Sequence, residues 1–385
     1  MTQVITNAPV TAKLESIQAL RGFAAMYVFL FHAKNQLPLW SEDATATLTS
    51  IMNRGFMGVD VFFVISGFIL AWVGVLSRKQ PDSALNFAIK RFFRVAPPYW
   101  LSTILAAYLL LQSNTMEDLA KSLLFYPRNG NETPFYGYPI NGVGWTLNYE
   151  MFFYALFCGA LFFRRYALLA VLVAIGVCTM LVPVILGTSI SFDPYRNLEL
   201  SRAYFRMATN PLVMEFALGV LCAMAYAKYR GRTPRAIVSI LLTAGLGLMT
   251  WRIMAHSDGH SVLKLGLPAA VLLLGAVFAE DTGMLKIPKT AVWLGEISFS
   301  IYLVHAIIVI IIRAKMPVPL GIASQYGKFA CDLGILLLVS YYWHRWIEAP
   351  SADLGYYFIA LFQRLRGALG ECTARHRKTL NAWPK

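Results

Sequence analysis

Long apolar runs recur along the whole chain and limit its possible folds more than any other feature. Ten segments have roughly the length that a membrane helix needs, about 20 residues with few charges. Of the 385 residues, 57% are hydrophobic and only 14% are charged, whereas soluble domains carry about 25% charged residues. We therefore predict an all-α, polytopic integral membrane protein with about ten transmembrane helices. The ten predicted spans are 15–36, 56–76, 95–112, 147–163, 166–187, 211–228, 236–254, 263–280, 291–312 and 329–347.

The distribution of basic residues predicts the orientation of these spans. If the amino terminus is cytoplasmic, most of the 34 Lys and Arg residues fall in cytoplasmic segments, as the positive-inside rule requires. We therefore predict that both termini are cytoplasmic. The net charge of +14 then faces anionic lipid, so no nucleic-acid partner is needed to explain it. Residues 1–350 form the predicted membrane domain, and residues 351–385 form an amphipathic, basic, cytoplasmic tail on the inner membrane surface.

The first span carries two ionisable side chains, Arg21 and His32, eleven residues apart. At about 100° per residue, eleven steps return to within roughly 20° of the start, so both side chains share one helix face. Their separation along the axis is about 16 Å. Charged or titratable residues inside a membrane are costly and usually mark function. This face therefore predicts a polar site that reaches through about half of the membrane.

Other ionisable residues fall at similar depths in later spans. Asp60, Glu150 and His305 are predicted in the middle or outer half of the membrane. His32 can act as a general base or carry an acyl group on nitrogen. Asp60 or Glu150 could orient His32, or either could hold helices together through buried hydrogen bonds. His305, taken alone, is more typical of a histidine that packs between helices.

Two arginines, Arg91 and Arg94, face one way on a helix at the predicted cytoplasmic entrance. Paired guanidinium groups make a clamp for phosphates, although the spacing alone is more typical of ordinary positive-inside anchoring. Pro97 and Pro98 follow directly and predict a helix break or start there.

Several remaining features have plain structural interpretations. Gly58 and Gly67 are predicted to let helix backbones approach closely. His256 and His260 are predicted to be solvated in a short outer loop. Glu348 ends the last predicted span and is predicted to be either a helix-end or a lipid-interface residue. The loop 113–146 is rich in Gly, Pro, Asn and Tyr, which suits either sugar contact or a simple connection. No Walker loop, dinucleotide fingerprint or metal-ligand spacing occurs in the sequence.

Six motifs occur in the order typical of the membrane acyltransferase-3 family, which the chain resembles over residues 15–350. The motifs are IQALRGFAAMYVFLFHA, GFMGVDVFFVISGFIL, KRFFRVAPPYWL, GWTLNYEMFFY, LGEISFSIYLVHA and WIEAP. Several of them are similar in particular to exopolysaccharide-production acetyltransferases of the ExoZ type. The resemblance implies a ten-span enzyme that moves an acyl group, usually acetyl from acetyl-CoA, to a sugar hydroxyl on an extracytoplasmic glycan or lipid-linked saccharide.

The resemblance also implies roles for individual residues. Arg21 and His32 match the family's Arg-x10-His pair, and Arg91 and Arg94 match its Arg-x-x-Arg motif on the CoA side. Asp60 matches the aspartate of the GVD motif. The predicted site residues are His32, Asp60 and Glu150 for catalysis, Arg21, Arg91 and Arg94 for acyl-CoA binding, and Trp145, Asn148 and His305 for substrate contact, with no metal.

The predicted function is that of an acyltransferase in the bacterial inner membrane. Acyl-CoA would bind from the cytoplasm, and its pantetheine arm would span the roughly 16 Å between the Arg21 and His32 levels. Expected partners are a saccharide acceptor, membrane lipid and polysaccharide synthesis proteins. Some family members carry an additional span and a secreted hydrolase-like domain, so either this chain transfers the acyl group directly or a partner completes the transfer. The alternatives are a proton-coupled secondary transporter of a small polar solute and a membrane scaffold for polysaccharide synthesis.

Overall fold

Every regular element in the described part of the chain is a helix. The computed structural model describes residues 14–34, 50–77, 81–110, 114–255, 259–315 and 322–380. The helices are α1 Glu15–Ala33, α2 Met57–Ala71, α3 Ala84–Leu109, α4 Met116–Leu123, α5 Trp145–Leu161, α6 Ala167–Gly176, α7 Ala203–Ala208, α8 Met214–Tyr229, α9 Arg235–Met254, α10 Leu267–Asp281, α11 Lys289–Glu296, α12 Ser298–Lys315, α13 Ile322–Trp343 and α14 Ala349–Leu380. Turns of π-helix extend α2, α6 and α13 at their carboxyl ends and precede α10. The turn after α6 continues into one further short α-helix, Val182–Ile185.

Six helical segments are long and apolar enough to cross a membrane, which confirms the predicted all-α membrane class. They are Met57–Leu76, Arg164–Ile185, Pro211–Tyr229, Arg235–Met254, Val262–Asp281 and Ser298–Lys315. The predicted number of ten spans and the cytoplasmic position of both termini stay predictions.

Helix α2 lies at the centre of the fold, where two glycines bring neighbouring backbones close to it. A Cβ atom on Gly58 would lie 2.5 Å from the carbonyl oxygen of Ala24 in α1. A Cβ atom on Gly67 would lie 2.0 Å from the carbonyl oxygen of Phe216 in α8. Neither position has room for a side chain, so the predicted packing role of Gly58 and Gly67 is confirmed.

The expected helix break at Pro97 and Pro98 is wrong, because α3 runs without interruption from Ala84 to Leu109 and contains both prolines. Pro97 cannot donate the amide hydrogen bond that the Phe93 carbonyl would accept four residues earlier. The Ser351 hydroxyl, from the start of α14, donates to the Phe93 carbonyl instead. A side chain from a distant helix thus satisfies the carbonyl that Pro97 leaves free.

Two predicted spans near the carboxyl end have different boundaries in the structure. The predicted span 291–312 is two helices, α11 and α12, which meet at Ile297, where the Ser298 hydroxyl donates to the Gly295 carbonyl at 2.7 Å. The last predicted span begins earlier, at the start of α13, and the helical path continues through the π turn His344–Glu348 into α14.

The first part of α14, which belongs to the predicted tail, packs along α3. The rings of Phe93 and Phe358 stack with their centroids 5.1 Å apart. A Cβ atom on Gly355 would lie 2.9 Å from the Phe93 Cβ atom. Residues beyond 350 therefore contribute to the packed structure around α3.

Candidate active site

Two cavities lie in the helix bundle, and they share Val59 and Tyr302 in their walls. We call the first the arginine cavity, of about 350 Å³, which is lined among others by Gln18, Arg21, Lys90, Arg91, Arg94, Glu150, Tyr154 and Tyr356. We call the second the histidine cavity, of about 560 Å³, which is lined among others by His32, His260, Phe31, Phe56, Phe135, Tyr138, Asn141, Trp145 and Tyr195. Both volumes fall in the range of small-molecule sites, roughly 300–1,000 Å³. Helix α1 contributes Arg21 to one cavity and His32 to the other, as their shared helix face predicts.

The His32 ring contacts a second histidine, His305. His305 Nδ1 lies 3.1 Å from the Ile301 carbonyl, and His32 Nδ1 lies 3.0 Å from the Val28 carbonyl. A carbonyl can only accept, so each Nδ1 atom carries the proton in the neutral ring. His305 Nε2 is then free to accept from His32 Nδ1, which lies 3.3 Å away. These contacts leave His32 Nε2 with an unshared electron pair.

Neither Asp60 nor Glu150 contacts His32, so the expectation that one of them orients this ring is wrong. Glu150 faces the arginine cavity, where its carboxylate accepts hydrogen bonds from the Tyr154 hydroxyl and, at 3.1 Å, from the Ser66 hydroxyl. Asp60 lies fully buried in the first turn of α2 and pairs elsewhere. The alternative interpretation, that these carboxylates hold helices together, fits Glu150, which joins α5 to α2 through Ser66.

The partner of Asp60 is His260, whose predicted solvation is wrong. His260 is only 4% exposed, and its Nδ1 atom lies 2.9 Å from Asp60 Oδ2. The rings of Phe56 and Trp145 meet the imidazole edge-on, each with its centroid 5.3 Å away. The backbone amide of His260 also donates to the Tyr195 hydroxyl at 3.1 Å. His256 lies outside the described residues.

The residues predicted to contact substrate do not all reach a cavity. Trp145 lines the histidine cavity, and His305 lies fully buried behind His32. Asn148 is buried, 2% exposed, and lines neither cavity. Asn148 and Trp145 come from the same motif in α5, but of the two only Trp145 reaches a cavity.

Four basic side chains, Arg21, Lys90, Arg91 and Arg94, line the arginine cavity. Lys90 pairs with Asp82 at 2.6 Å. Within the described residues, Arg21 bonds only to the neutral Gln18 amide at 3.3 Å, and the Arg91 guanidinium lies over the Tyr154 ring at 5.6 Å. Because neither group forms an ion pair there, both can accept a further anionic partner.

A lipid-interface position for Glu348 is wrong, because its side chain is 1% exposed. Its Oε2 atom accepts from the Ser300 hydroxyl at 2.7 Å and lies 3.1 Å from His344 Nδ1. Its Oε1 atom lies 3.7 Å from Arg94 Nη2. The π turn at the end of α13 places Glu348 inside the bundle, where its carboxylate faces Arg94.

The wall between the cavities contains Tyr302. The Tyr302 hydroxyl lies 2.7 Å from the Thr146 hydroxyl, which lines the arginine cavity. It also donates to the carbonyl of Val143, which lines the histidine cavity, at 3.2 Å. The Tyr302 and His305 ring centroids are 5.8 Å apart. Tyr302 thus lies between the basic groups and the two contacting histidines.

Two loops form part of the histidine cavity. One is the polar loop before α5, and the other is the loop before α7, which contributes Tyr195. Phe135 and Tyr138 stack with centroids 4.9 Å apart, and both line the cavity. Burial raises the pKa of Tyr138 to about 12, so its hydroxyl keeps its proton at neutral pH. The side-chain amide of Asn141 donates to the Ser102 hydroxyl at 2.9 Å and to the Leu303 carbonyl at 3.1 Å.

Sequence reasoning missed two members of the buried polar cluster at Asp60. His260 belongs to a short polar loop, and nothing in its local sequence indicates burial. Glu215, fully buried beside Asp60, does leave a signal, because an acidic residue inside a predicted membrane span is a functional candidate by itself.

Comparison with known proteins agrees with the motif order. An acyltransferase-domain family model, acyltransferase-3, matches residues 14–342. The exopolysaccharide production protein ExoZ of Rhizobium meliloti (strain 1021) is 33% identical over 321 residues, covering 78% of this chain and 90% of the relative. The acyltransferase MdmB of Streptomyces mycarofaciens is 27% identical over 372 residues, covering 90% and 93%.

A third relative, the O-acetyltransferase OatA of Staphylococcus aureus (strain NCTC 8325 / PS 47), is 22% identical over 384 residues. That match covers 92% of this chain but 60% of OatA. No solved structure matches the chain. The family model spans most of the chain. The motifs quoted above supply Arg21, Arg91 and Arg94 to the arginine cavity, and His32 and Trp145 to the histidine cavity. The chain belongs to the acyltransferase-3 family and is an O-acyltransferase of the membrane type.

Proposed function

We propose that the protein transfers an acyl group, in the first place acetyl, from acyl-CoA in the arginine cavity to a saccharide hydroxyl in the histidine cavity. The observation that carries the proposal is the shared wall. A cationic cavity and a cavity with unprotonated imidazole nitrogens adjoin at Val59 and Tyr302. Donor and acceptor could thus approach the same point from opposite sides.

The arginine cavity suits the donor because its positive charges complement the negative phosphates of CoA. Guanidinium groups bind phosphate through paired, charge-assisted hydrogen bonds. Arg21 and Arg91 have no acidic partner among the described residues, and Lys90 and Arg94 each face one carboxylate. We propose that these side chains hold the CoA phosphates, with the thioester directed toward Tyr302.

The histidine cavity suits a saccharide because its wall combines aromatic rings with a few polar groups. Trp145, Phe135 and Tyr138 supply flat apolar surfaces, and Asn141 and the Tyr138 hydroxyl lie among them. We propose a glycan or lipid-linked saccharide, such as an exopolysaccharide unit, at the outer face of the bacterial inner membrane. The name of the Rhizobium relative supports an exopolysaccharide, and polysaccharide synthesis proteins are the partners that would deliver it.

The chemistry requires one proton acceptor and one leaving group. The acceptor oxygen bonds to the acyl carbon, the carbon–sulfur bond breaks, and the hydroxyl proton passes to a base. His32 Nε2 can either take that proton or attack the acyl carbon itself. In both cases the contact with His305 holds the His32 ring so that Nε2 is unprotonated before the reaction.

The proposal is tested with membranes that contain the native chain or His32→Ala at matched protein levels. Acetyl-CoA with a labelled acetyl group is supplied, and both free thiol and label in the extracytoplasmic glycan are measured. We expect the native chain to release thiol and label glycan, and His32→Ala to lose at least about 100-fold in rate. Full activity of His32→Ala would remove this residue from the chemistry.

The same assay separates the enzyme from a proton-coupled transporter. A transporter that uses the buried histidines would move a solute without consuming acyl-CoA, so no thiol would appear with the native chain. A scaffold would give neither thiol nor transport, and the glycan phenotype of His32→Ala would equal that of the native chain.

A further inference from the structure

We propose that His260, oriented by Asp60, is the general base that takes the proton from the acceptor hydroxyl, which leaves His32 to act on the acyl group. The inference rests on the proposed function and assigns the proton to one of two imidazoles in the same cavity. His32 and His260 come from distant parts of the chain, yet both line the histidine cavity.

The first argument is the tautomer of His260. Its Nδ1 atom lies 2.9 Å from Asp60 Oδ2. An ionised carboxylate has no proton to give, so Nδ1 donates and Nε2 keeps its unshared pair. This is the arrangement in which a carboxylate orients a catalytic histidine in hydrolases. The surrounding edges of Phe56 and Trp145 fix the ring plane.

The second argument compares where a new positive charge would sit. A proton that arrives on His260 forms an imidazolium in direct contact with Asp60, and both side chains are nearly excluded from solvent. Among the described residues, a proton that arrives on His32 meets no carboxylate, since this ring contacts the neutral His305 ring, the Val28 carbonyl and the Phe31 ring. Attraction between opposite charges is strong in such a low-dielectric site. His260 is therefore the better proton acceptor of the two.

The third argument concerns the second carboxyl group in the cluster. Glu215 lies beside Asp60 and is fully buried. Two neighbouring carboxyl groups in a buried site cannot both be ionised without a large penalty. One negative charge in the pair matches one imidazolium, and the hydrogen bond to His260 assigns that charge to Asp60. Glu215 then holds the proton of the pair.

The resulting step is balanced. The hydroxyl proton moves to His260 Nε2 while the hydroxyl oxygen bonds to the acyl carbon. The electron pair of the broken bond leaves with the CoA sulfur, or with His32 Nε2 if His32 carries the acyl group. His260 then returns its proton to water on the histidine-cavity side. Asp60 stays ionised throughout, so it is a positioning residue.

The test uses His260→Ala and two small azoles of nearly equal shape. We expect His260→Ala to lose about 100-fold or more in acyl transfer to the glycan. Added imidazole can occupy the vacated space and accept a proton. It should raise the acyl-transfer rate of His260→Ala at least about tenfold. Added 1,2,4-triazole, a far weaker base, should restore nothing. Equal recovery with both azoles, or transfer within threefold of native without either, would overturn the proposal.

If neither azole enters the cavity, a series of single and double variants tests the proposal instead. If Asp60 acts only through His260, Asp60→Asn with His260→Gln should be no slower than His260→Gln alone. Losses that multiply would contradict this. Glu215→Gln tests the assignment of the charge, since an amide replaces a protonated carboxyl, and its loss should be much smaller than that of Asp60→Asn. A loss as large as that of Asp60→Asn would overturn the assignment of the charge.

The native chain and His32→Ala are run beside these variants. If His32→Ala loses transfer while His260→Ala retains it, the proposed function stands and only the assignment of the base fails. If the native chain neither releases thiol nor labels the glycan, the proposed function itself fails, and this inference with it.

Discussion

The basic side chains of the arginine cavity differ in whether an acidic side chain already lies beside them. Lys90 already pairs with Asp82, and Arg94 faces Glu348. Arg91 has only aromatic rings beneath it in the described part of the chain, with Phe87 at 5.8 Å and Tyr154 at 5.6 Å. An arginine held by rings keeps its hydrogen-bonding edge available, so Arg91 is the group most ready to receive a phosphate.

We expect Arg91→Gln to raise the KM for acyl-CoA by about 10- to 100-fold, the equivalent of one charge-assisted hydrogen bond of roughly 1.5–3 kcal/mol. The change in kcat should be small, because Arg91 binds the donor at a distance from the reacting carbon. Steady-state kinetics over a range of acyl-CoA concentrations measure both constants. Arg165→Gln is the control, since Arg165 lies outside both cavities over the ring of Tyr166. An unchanged KM in Arg91→Gln would contradict the donor assignment.

At the residue scale, the sequence predicts which side chains share a face of one helix. It does not predict contacts between residues that are distant in the chain. Helical periodicity alone places Arg21 and His32 on one face of α1. The contact between Asp60 and His260 joins residues separated by 200 positions, and no local pattern records it. Similar predicted depth made Asp60 and Glu150 candidate partners of His32, but Asp60 pairs with His260, and Glu150 accepts from Ser66 and Tyr154.

Among the helices, α3 illustrates how a sequence signal for a break can be overruled. Two consecutive prolines disfavour a helix interior by several kcal/mol. In water, the freed Phe93 carbonyl could bond to solvent, but inside a bundle it needs a protein donor. The Ser351 hydroxyl supplies that donor. The sequence cannot reveal this compensation, because the donor lies 258 positions away.

We expect Ser351→Ala to destabilise the protein by about 1–3 kcal/mol, the cost of leaving a buried carbonyl without a donor. Pro97→Ala returns an amide to the helix, so Ser351→Ala should cost much less in the Pro97→Ala background. Thermal unfolding of the four purified proteins in detergent measures this cycle. An equal loss in both backgrounds would show that Ser351 stabilises α3 by some other contact.

For the whole molecule, the central arrangement is a bundle around α2 with two cavities back to back. The close approaches at Gly58 and Gly67 bring α1 and α8 against α2, and α12 supplies the dividing Tyr302. The all-helical membrane class follows from the apolar runs alone. The positions of the two cavities cannot be predicted from the apolar runs, because they depend on which helix faces meet.

The orientation of the whole molecule can be tested with reporter insertions. We expect a periplasm-dependent phosphatase inserted at Asn131 to be active, because positive-inside bias places the loop 113–146 outside. The same reporter in the turn at Gly231 should be inactive, and green fluorescent protein fused at the carboxyl terminus should fluoresce. The reverse pattern would invert the molecule and exchange the proposed donor and acceptor sides.

The wall at Tyr302 and Val59 also matters for the energy supply of the cell. An inner membrane stores a proton gradient, and an aqueous path that joined the two cavities would discharge it. In the proposed reaction the acyl group would cross this wall, and the apolar and hydrogen-bonded side chains of the wall would hold back water and ions. The nucleotide part of the donor would remain on its own side, so the cell would export two carbons per turnover and keep its coenzyme.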